Sequence, residues 1–479
     1  MRSANGVGLA PMSGRLILVS NRLPITAQYQ GHELTLVQSG GGLATGLKGA
    51  RAREGSTWVG WPGEVPSGSR VRAELEDELE KQGLRPVFLT RAELKGFYED
   101  YSNAAVWPVF HDLIDQLPLE ITGWEMYEEV NQRFAEAVAQ VYEDGDLIWV
   151  NDYHLMLAPA QIRKLRPRAR IGFFLHIPFP HSDMFRVLPQ REELLDGLLG
   201  ADLIGFHTRS YADHFLSAVQ TILAERVSNS TVRRHRRTIS AGAYPMGIDA
   251  ETWESRARST PVAKQVLSLM QDAGKRKIIL GIDRLDYTKG LPRRIAAIER
   301  LFQNDPSIAE RVRFVQVTFP SRERIESYAG LRRQLSEMVG RINATYGSPR
   351  SLPIHLMLRS FSEEEVSALY GAADIMLVTP LRDGMNLVAK EFVASRLHDD
   401  GVLILSEFAG AADEMPEALI INPYDTEGIC RAIHQAIAMS GAEQRERMSR
   451  LRAGVMRNDV HTWSETFLAD LGGEAVVSR

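Results

Sequence analysis

The chain has 479 residues, of which 44% are hydrophobic, with one cysteine and a formal net charge of −5. That length supports two or three domains with ample core. The near-neutral balance gives no global electrostatic case for nucleic-acid or membrane binding, and Cys430 alone excludes a disulfide framework and a cysteine-rich zinc site. Residues 1–14, with Gly6, Gly8, Pro11 and Ser13, read as a loose tail without the long apolar core of a signal peptide. No apolar run reaches membrane-spanning length, so a cytoplasmic location is the default reading.

Short apolar strands then alternate with amphipathic helices, which marks parallel α/β sheets. In the first half the predicted strands are Leu16–Ser20, Thr57–Gly60, Pro86–Leu89, Leu147–Asn151, Ile171–His176 and Leu203–Phe206. Helices are predicted over Leu43–Ala52, Trp124–Tyr142 and Tyr211–Leu223. A seam is expected through Tyr244–Asp249 and the polar stretch ending at Lys275. Strands follow at Lys277–Gly281, Arg313–Val317, Ile354–Met357, Ile375–Val378, Val402–Ser406 and Ala418–Ile421. Helices fall at Glu363–Tyr370 and Thr426–Met439, with a last one over Asp459–Leu471. The pattern predicts two doubly wound sheets of about six strands each, facing across a cleft at their carboxyl edges.

The most informative stretch is Thr379–Glu391. An apolar strand ends at Pro380, Gly384 permits a tight turn, and Asn386 can cap a helix beginning at Leu387. The N–H groups of such a helix start attract an anion. Glu391, one turn in, can accept hydrogen bonds from a ribose diol, and Asp383 can face a sugar. The other reading of this run is a capped helix with surface charges.

Other candidates also follow strands. Arg284 and Lys289, in Gly281–Gly290, can neutralise a diphosphate, or else form a salt-bridged loop with Asp283 and Asp286. Successive glycines in Ser39–Leu43 let backbone approach a ligand, though they make neither a Walker loop nor a full GxGxxG. Arg22 and Arg322 are candidate phosphate ligands. Tyr98 and Trp107 can stack on a sugar or belong to the core, and Trp58 and Trp61 share that ambiguity. The run Arg233–Arg237 reads as a solvated loop. His154, His176 and His181 lack metal-ligand spacing, so no metal site is expected.

Together the runs Val19–Arg22, Gly41–Leu43, Tyr98–Pro108, Asn151–Leu155, Gly172–Pro180, Asp283–Pro292, Leu381–Glu391, Ser406–Glu414 and Asn422–Asp425 resemble the retaining glycosyltransferases that make trehalose 6-phosphate. They stand in that family's order from about Arg15 to Leu471. The departures are a leader before Arg15 and no C-terminal phosphatase domain. The resemblance implies a GT-B fold: an acceptor domain over 15–245, a nucleotide-sugar domain over 246–458, and a terminal helix and tail over 459–479 that cross back.

It further implies no cofactor, with UDP-glucose and glucose 6-phosphate as the small-molecule partners. Arg284 and Lys289 would grip the donor diphosphate. Leu387 and Val388 would offer backbone N–H groups to the donor and Glu391 would hold its ribose, with Ala389 and Lys390 in the same donor-binding stretch, Phe361 near the base, and Gly41 and Gly42 approaching from the first domain. Asp383 and His176 would hold hydroxyls of the transferred glucose. Arg22, Tyr98, Trp107, Asp152 and Arg322 would hold glucose 6-phosphate. The implied chemistry is front-face internal return, because no nucleophile and acid pair at glycosidase spacing is evident. The rival readings are a synthase using another acceptor, such as glycerol 3-phosphate or a cyclitol phosphate, and a non-catalytic homologue. Oligomeric state is left open.

Overall fold

The computed structural model describes residues 14–30, 33–38, 46–51, 55–66, 68–320, 326–349 and 351–473. The strands, in chain order, are β1 (Leu16–Arg22), β2 (Ile25–Gln30), β3 (Glu33–Gln38), β4 (Thr57–Trp61), β5 (Leu84–Pro86), β6 (Leu147–Asn151), β7 (Arg170–Phe174), β8 (Leu203–Phe206), β9 (Val227–Ser228), β10 (Thr231–Arg234), β11 (Arg237–Ala243), β12 (Lys277–Arg284), β13 (Val312–Phe319), β14 (Ile354–Met357), β15 (Ile375–Val378), β16 (Val402–Ser406) and β17 (Leu419–Ile421). The first sheet runs β5-β4-β1-β6-β7-β8-β11-β10-β9 and the second β14-β13-β12-β15-β16-β17. The second is parallel throughout, and the first is parallel from β5 to β11. Helices cover both faces of each sheet, so β15 is a continuous buried apolar run, and β1, β6 and β16 each open with four buried apolar residues before polar ones at their carboxyl ends.

Several sequence expectations change. The first sheet has nine strands because β9, β10 and β11 extend it. The basic run is therefore not a solvated loop. His235 and Arg236 form the turn of the β10–β11 hairpin, with φ of 47° and 66°. Arg234 pairs with Asp196 at 2.7 Å, and Arg237 with Asp202 at 3.1 Å. The expected strand at Pro86–Leu89 lies earlier, as β5, because Leu84 rather than Phe88 aligns with Trp58. The expected seam before Lys275 is instead two helices, Ala250–Arg258 and Thr260–Ala273. Asp249 caps the first by accepting from the Thr252 N–H, and Pro261 suits the start of the second. Trp253 packs on Tyr370 with ring centres 5.6 Å apart.

The chain returns to the first sheet at its end. Asp459 caps the helix Val460–Gly472, whose Phe467 stacks on Trp149 at 4.7 Å. Gly172 and Gly205 make room beneath it, since a Cβ on either would come within 3 Å of the Phe467 ring. Where the chain recrosses, Gly247 passes against Asn458 and Asp459, and the Val460 N–H donates to the Ile248 carbonyl.

Candidate active site

The carboxyl ends of β1, β6 and β7 meet those of β12 and β15, as parallel-sheet topology favours. Several contacts join the two sides, three of them at the loop after β15. Tyr211 donates its hydroxyl to the Asp383 carbonyl at 3.0 Å. Arg382 pairs with Asp112 at 2.8 Å. A Cβ on Gly384 would lie 2.2 Å from the His176 carbonyl oxygen. Gly384 is thus required by close backbone approach, and its φ is not left-handed. The left-handed residue of the turn is Asn386, with φ of 69°. Asn386 stands at the N-cap position of the helix Leu387–Ser395, but its side chain does not cap it. Its amide donates to Asp383 Oδ2 at 3.0 Å instead.

Asp383 also receives the Lys289 ammonium, Nζ to Oδ2, at 2.5 Å. Burial pushes the Asp383 carboxyl up, but the Lys289 charge and hydrogen bond outweigh it and hold it below the usual carboxylate range. Lys289 sits just after β12, positioned by Asp286, which accepts from the Thr288 N–H and hydroxyl. Asp283 pairs with the fully buried Arg294, which also binds Thr379 at 2.9 Å. The salt-bridged-loop reading therefore fails for Asp283, whose carboxylate is engaged beneath the loop. Arg284 is exposed, with its guanidinium 5.7 Å from the centre of the Trp107 ring across the cleft.

The helix Leu387–Ser395 has no acid in its first turn, so its positive end faces no side-chain anion of its own. Glu391 accepts from the Tyr370 hydroxyl at 3.0 Å, and burial raises its carboxyl to about 7. Ala389 is core. Lys390 is buried. Its ammonium turns away to the Met246 carbonyl at 2.8 Å and Glu414 at 2.6 Å, leaving only its backbone for a donor. Phe361 is half-buried beneath the Arg359 guanidinium, 3.6 Å from its ring centre.

On the facing side, Arg22 ends β1 exposed, 4.7 Å from the Trp61 ring centre and 5.8 Å from that of Tyr98. Tyr98 lies on a π-helix, Leu94–Val106, which runs directly into Trp107–Phe110. It stacks on His154 at 5.5 Å. Trp107 is buried yet reaches Arg284, so it is both core and cleft wall. Trp58 is core, with its indole N–H donating to Ser20. Asp152 has φ of 76° and ψ of 164°, a conformation that L residues rarely hold, and its Oδ1 accepts the His176 N–H at 3.3 Å. Gly41, Gly42 and Arg322 lie outside the described residues.

Sequence reasoning missed Tyr211, Asn151 and Tyr370, which hold Asp383, His176 and Glu391. Each sits in a predicted strand or helix, where its type gave no functional signal. Among the described residues no group of three or more His, Cys, Asp or Glu is placed to hold a metal, and no helix is long and apolar enough to cross a membrane.

Two doubly wound domains meeting at a ligand cleft are the architecture of the GT-B glycosyltransferases. The profile of Glycosyltransferase family 20 matches residues 14–472, and the chain belongs to that family. It is 40% identical to alpha,alpha-trehalose-phosphate synthase [UDP-forming] 2 of Aspergillus fumigatus, covering 98% of this chain and 99% of that one. It is 42% identical to the bifunctional trehalose-6-phosphate synthase/phosphatase of Thermoproteus tenax over 95% of this chain, but spans only 63% of that relative. Among solved structures, the E. coli protein bound with UDP-2-fluoro glucose matches with a TM-score of 0.85 at 33% identity, covering 97% of this chain and 100% of that one. The Burkholderia xenovorans synthase in complex with glucose-6-phosphate matches with a TM-score of 0.85 at 34% identity, covering 96% and 100%.

Proposed function

We propose that this glycosyltransferase moves glucose from UDP-glucose to glucose 6-phosphate with retention, giving α,α-trehalose 6-phosphate and UDP. The observation that carries the reading is that two cations and a helix start (Arg284, Lys289 and Leu387) face a polar group (Arg22, Asp152 and His176) across one cleft, which suits a diphosphate on one side and a sugar on the other. Residues 15–245 form the acceptor domain and 246–458 the nucleotide-sugar domain in this reading, with 459–479 returning to the first. Arg22 takes the acceptor phosphate together with Arg322, and Gly41 and Gly42 approach the donor. Tyr98, Trp107 and Asp152 surround the acceptor sugar. Both substrates are highly charged and water-soluble, in keeping with a cytoplasmic location.

Asp383 makes a poor nucleophile, because one of its oxygens already accepts from both Lys289 and Asn386. Internal return fits better. The leaving diphosphate oxygen takes the acceptor hydroxyl's proton while that hydroxyl attacks from the same face. The protein's part is to offset charge growing on the diphosphate, through Arg284, Lys289 and the helix dipole. Release of the nucleoside diphosphate tests this with UDP-, GDP- and ADP-glucose crossed against glucose 6-phosphate, glycerol 3-phosphate and a cyclitol phosphate. Release from UDP-glucose that depends on glucose 6-phosphate is expected. Release only with another acceptor, or with none, rejects the assignment.

A further inference from the structure

Asn151 ends β6 and is completely buried. Its side-chain NH2 donates to the Trp149 carbonyl at 3.1 Å and the Val19 carbonyl at 3.4 Å. Both partners can only accept, so the amide cannot turn over without setting its oxygen against two carbonyls. The atom 3.1 Å from His176 Nε2 is therefore Asn151 Oδ1. An amide oxygen also only accepts, which requires a hydrogen on Nε2.

We propose that Asn151 is a positioning residue that fixes His176 as the Nε2–H tautomer, so that the ring meets the donor sugar through an unprotonated Nδ1 and accepts a hydroxyl hydrogen. The surroundings disfavour the doubly protonated ring. Burial lowers the His176 pKa well below its ordinary value, and His207 lowers it further. The groups facing the ring are Phe174 at 4.6 Å, His207 at 5.5 Å and Trp463 at 5.9 Å. His207 is itself held neutral by burial, at about 3. The Asp152 carboxylate accepts from the His176 backbone N–H rather than from the ring. No described residue bonds Nδ1.

This deepens the proposed function, since it takes His176 to lie beside the transferred glucose. The site then selects a hydroxyl that can donate. A deoxy or fluoro donor at that position lacks the hydrogen that Nδ1 needs.

The direct test is ¹⁵N NMR of the free protein labelled at histidine, with His176 assigned by its loss in His176→Gln. Nδ1 is expected to resonate as an unprotonated ring nitrogen and Nε2 as a protonated one, unchanged from pH 6 to 8. A hydrogen on Nδ1, or titration within that range, overturns the proposal. In Asn151→Leu the tautomers are expected to mix and donor KM to rise about tenfold, the size of one lost hydrogen bond. In Asn151→Asp the added carboxylate is expected to bring His176 titration into the range and make donor KM pH-dependent. A pH-independent KM in Asn151→Asp counts against the proposal. The tautomer is read without substrate, so it can fail while the reaction stands, and the reverse.

Discussion

Asp383 and Glu391 share one short run, but their neighbours push them in opposite directions. Lys289 holds Asp383 ionised against the effect of burial, whereas Glu391, with no bonded cation among the described residues, rises to about 7. Folded Glu391 keeps its proton up to about pH 7, while an unfolded glutamate loses it near 4.5. The native state therefore holds more protons between those values, and Glu391's contribution to stability falls as pH rises through that window. A ribose diol favours the carboxylate, so donor binding near pH 7 is expected to release a proton and donor KM to climb below pH 7. Calorimetry in buffers of different ionisation enthalpy checks this, and binding without proton release contradicts it. Lys289 pairs with Asp383, and in the proposed reaction it also offsets charge on the diphosphate. Lys289→Ala is expected to lower kcat by about 10²–10³-fold, the range for removing one charge-stabilising donor. Near-normal turnover in steady-state assays removes Lys289 from that role.

The strand, loop and helix of Thr379–Glu391 were legible because β15 is apolar, Pro380 cannot continue it, and Leu387–Ser395 has helix-forming residues. The division of labour inside the loop was not. Gly384 reads as a turn glycine until the His176 carbonyl is seen against it, and no sequence pattern encodes that contact. Asn386 reads as a cap, but the left-handed backbone points its amide at Asp383. The two functions of Asn386 can be separated. Asn386→Gly keeps the backbone and removes the hydrogen bond, so normal stability with reduced kcat is expected. Asn386→Ala removes both and is expected to be about 1–2 kcal/mol less stable. Urea unfolding midpoints of the two variants distinguish these outcomes, and equal midpoints contradict the backbone role.

At the scale of the molecule, the two-sheet plan was legible from alternation of strand and helix. The extra strands β9 to β11 were not, because a run of arginines looks solvated until Asp196 and Asp202 are brought beside it by the fold. The crossing itself was legible, as the seam expected over Tyr244–Asp249, but the ties that anchor it were not. Lys390 lies in a helix that reads as donor-binding, but its charge ties that helix to the Met246 carbonyl, where the chain crosses between domains. Glu414 completes the tie, accepting from both Lys390 and Asn458 at the second crossing. The helix Leu387–Ser395 is thus fastened to both crossings. Trp463 and Phe467 pack the far end of the chain on the first sheet, a further tie between the two halves of the cleft, whose mutual orientation matters for same-face transfer. The most direct measurement is NMR of the product formed from UDP-glucose and glucose 6-phosphate. The account predicts α,α-trehalose 6-phosphate, with the small anomeric coupling of an α linkage at both sugars. A β linkage at the transferred glucose, or glucose and UDP with no disaccharide phosphate, would contradict it.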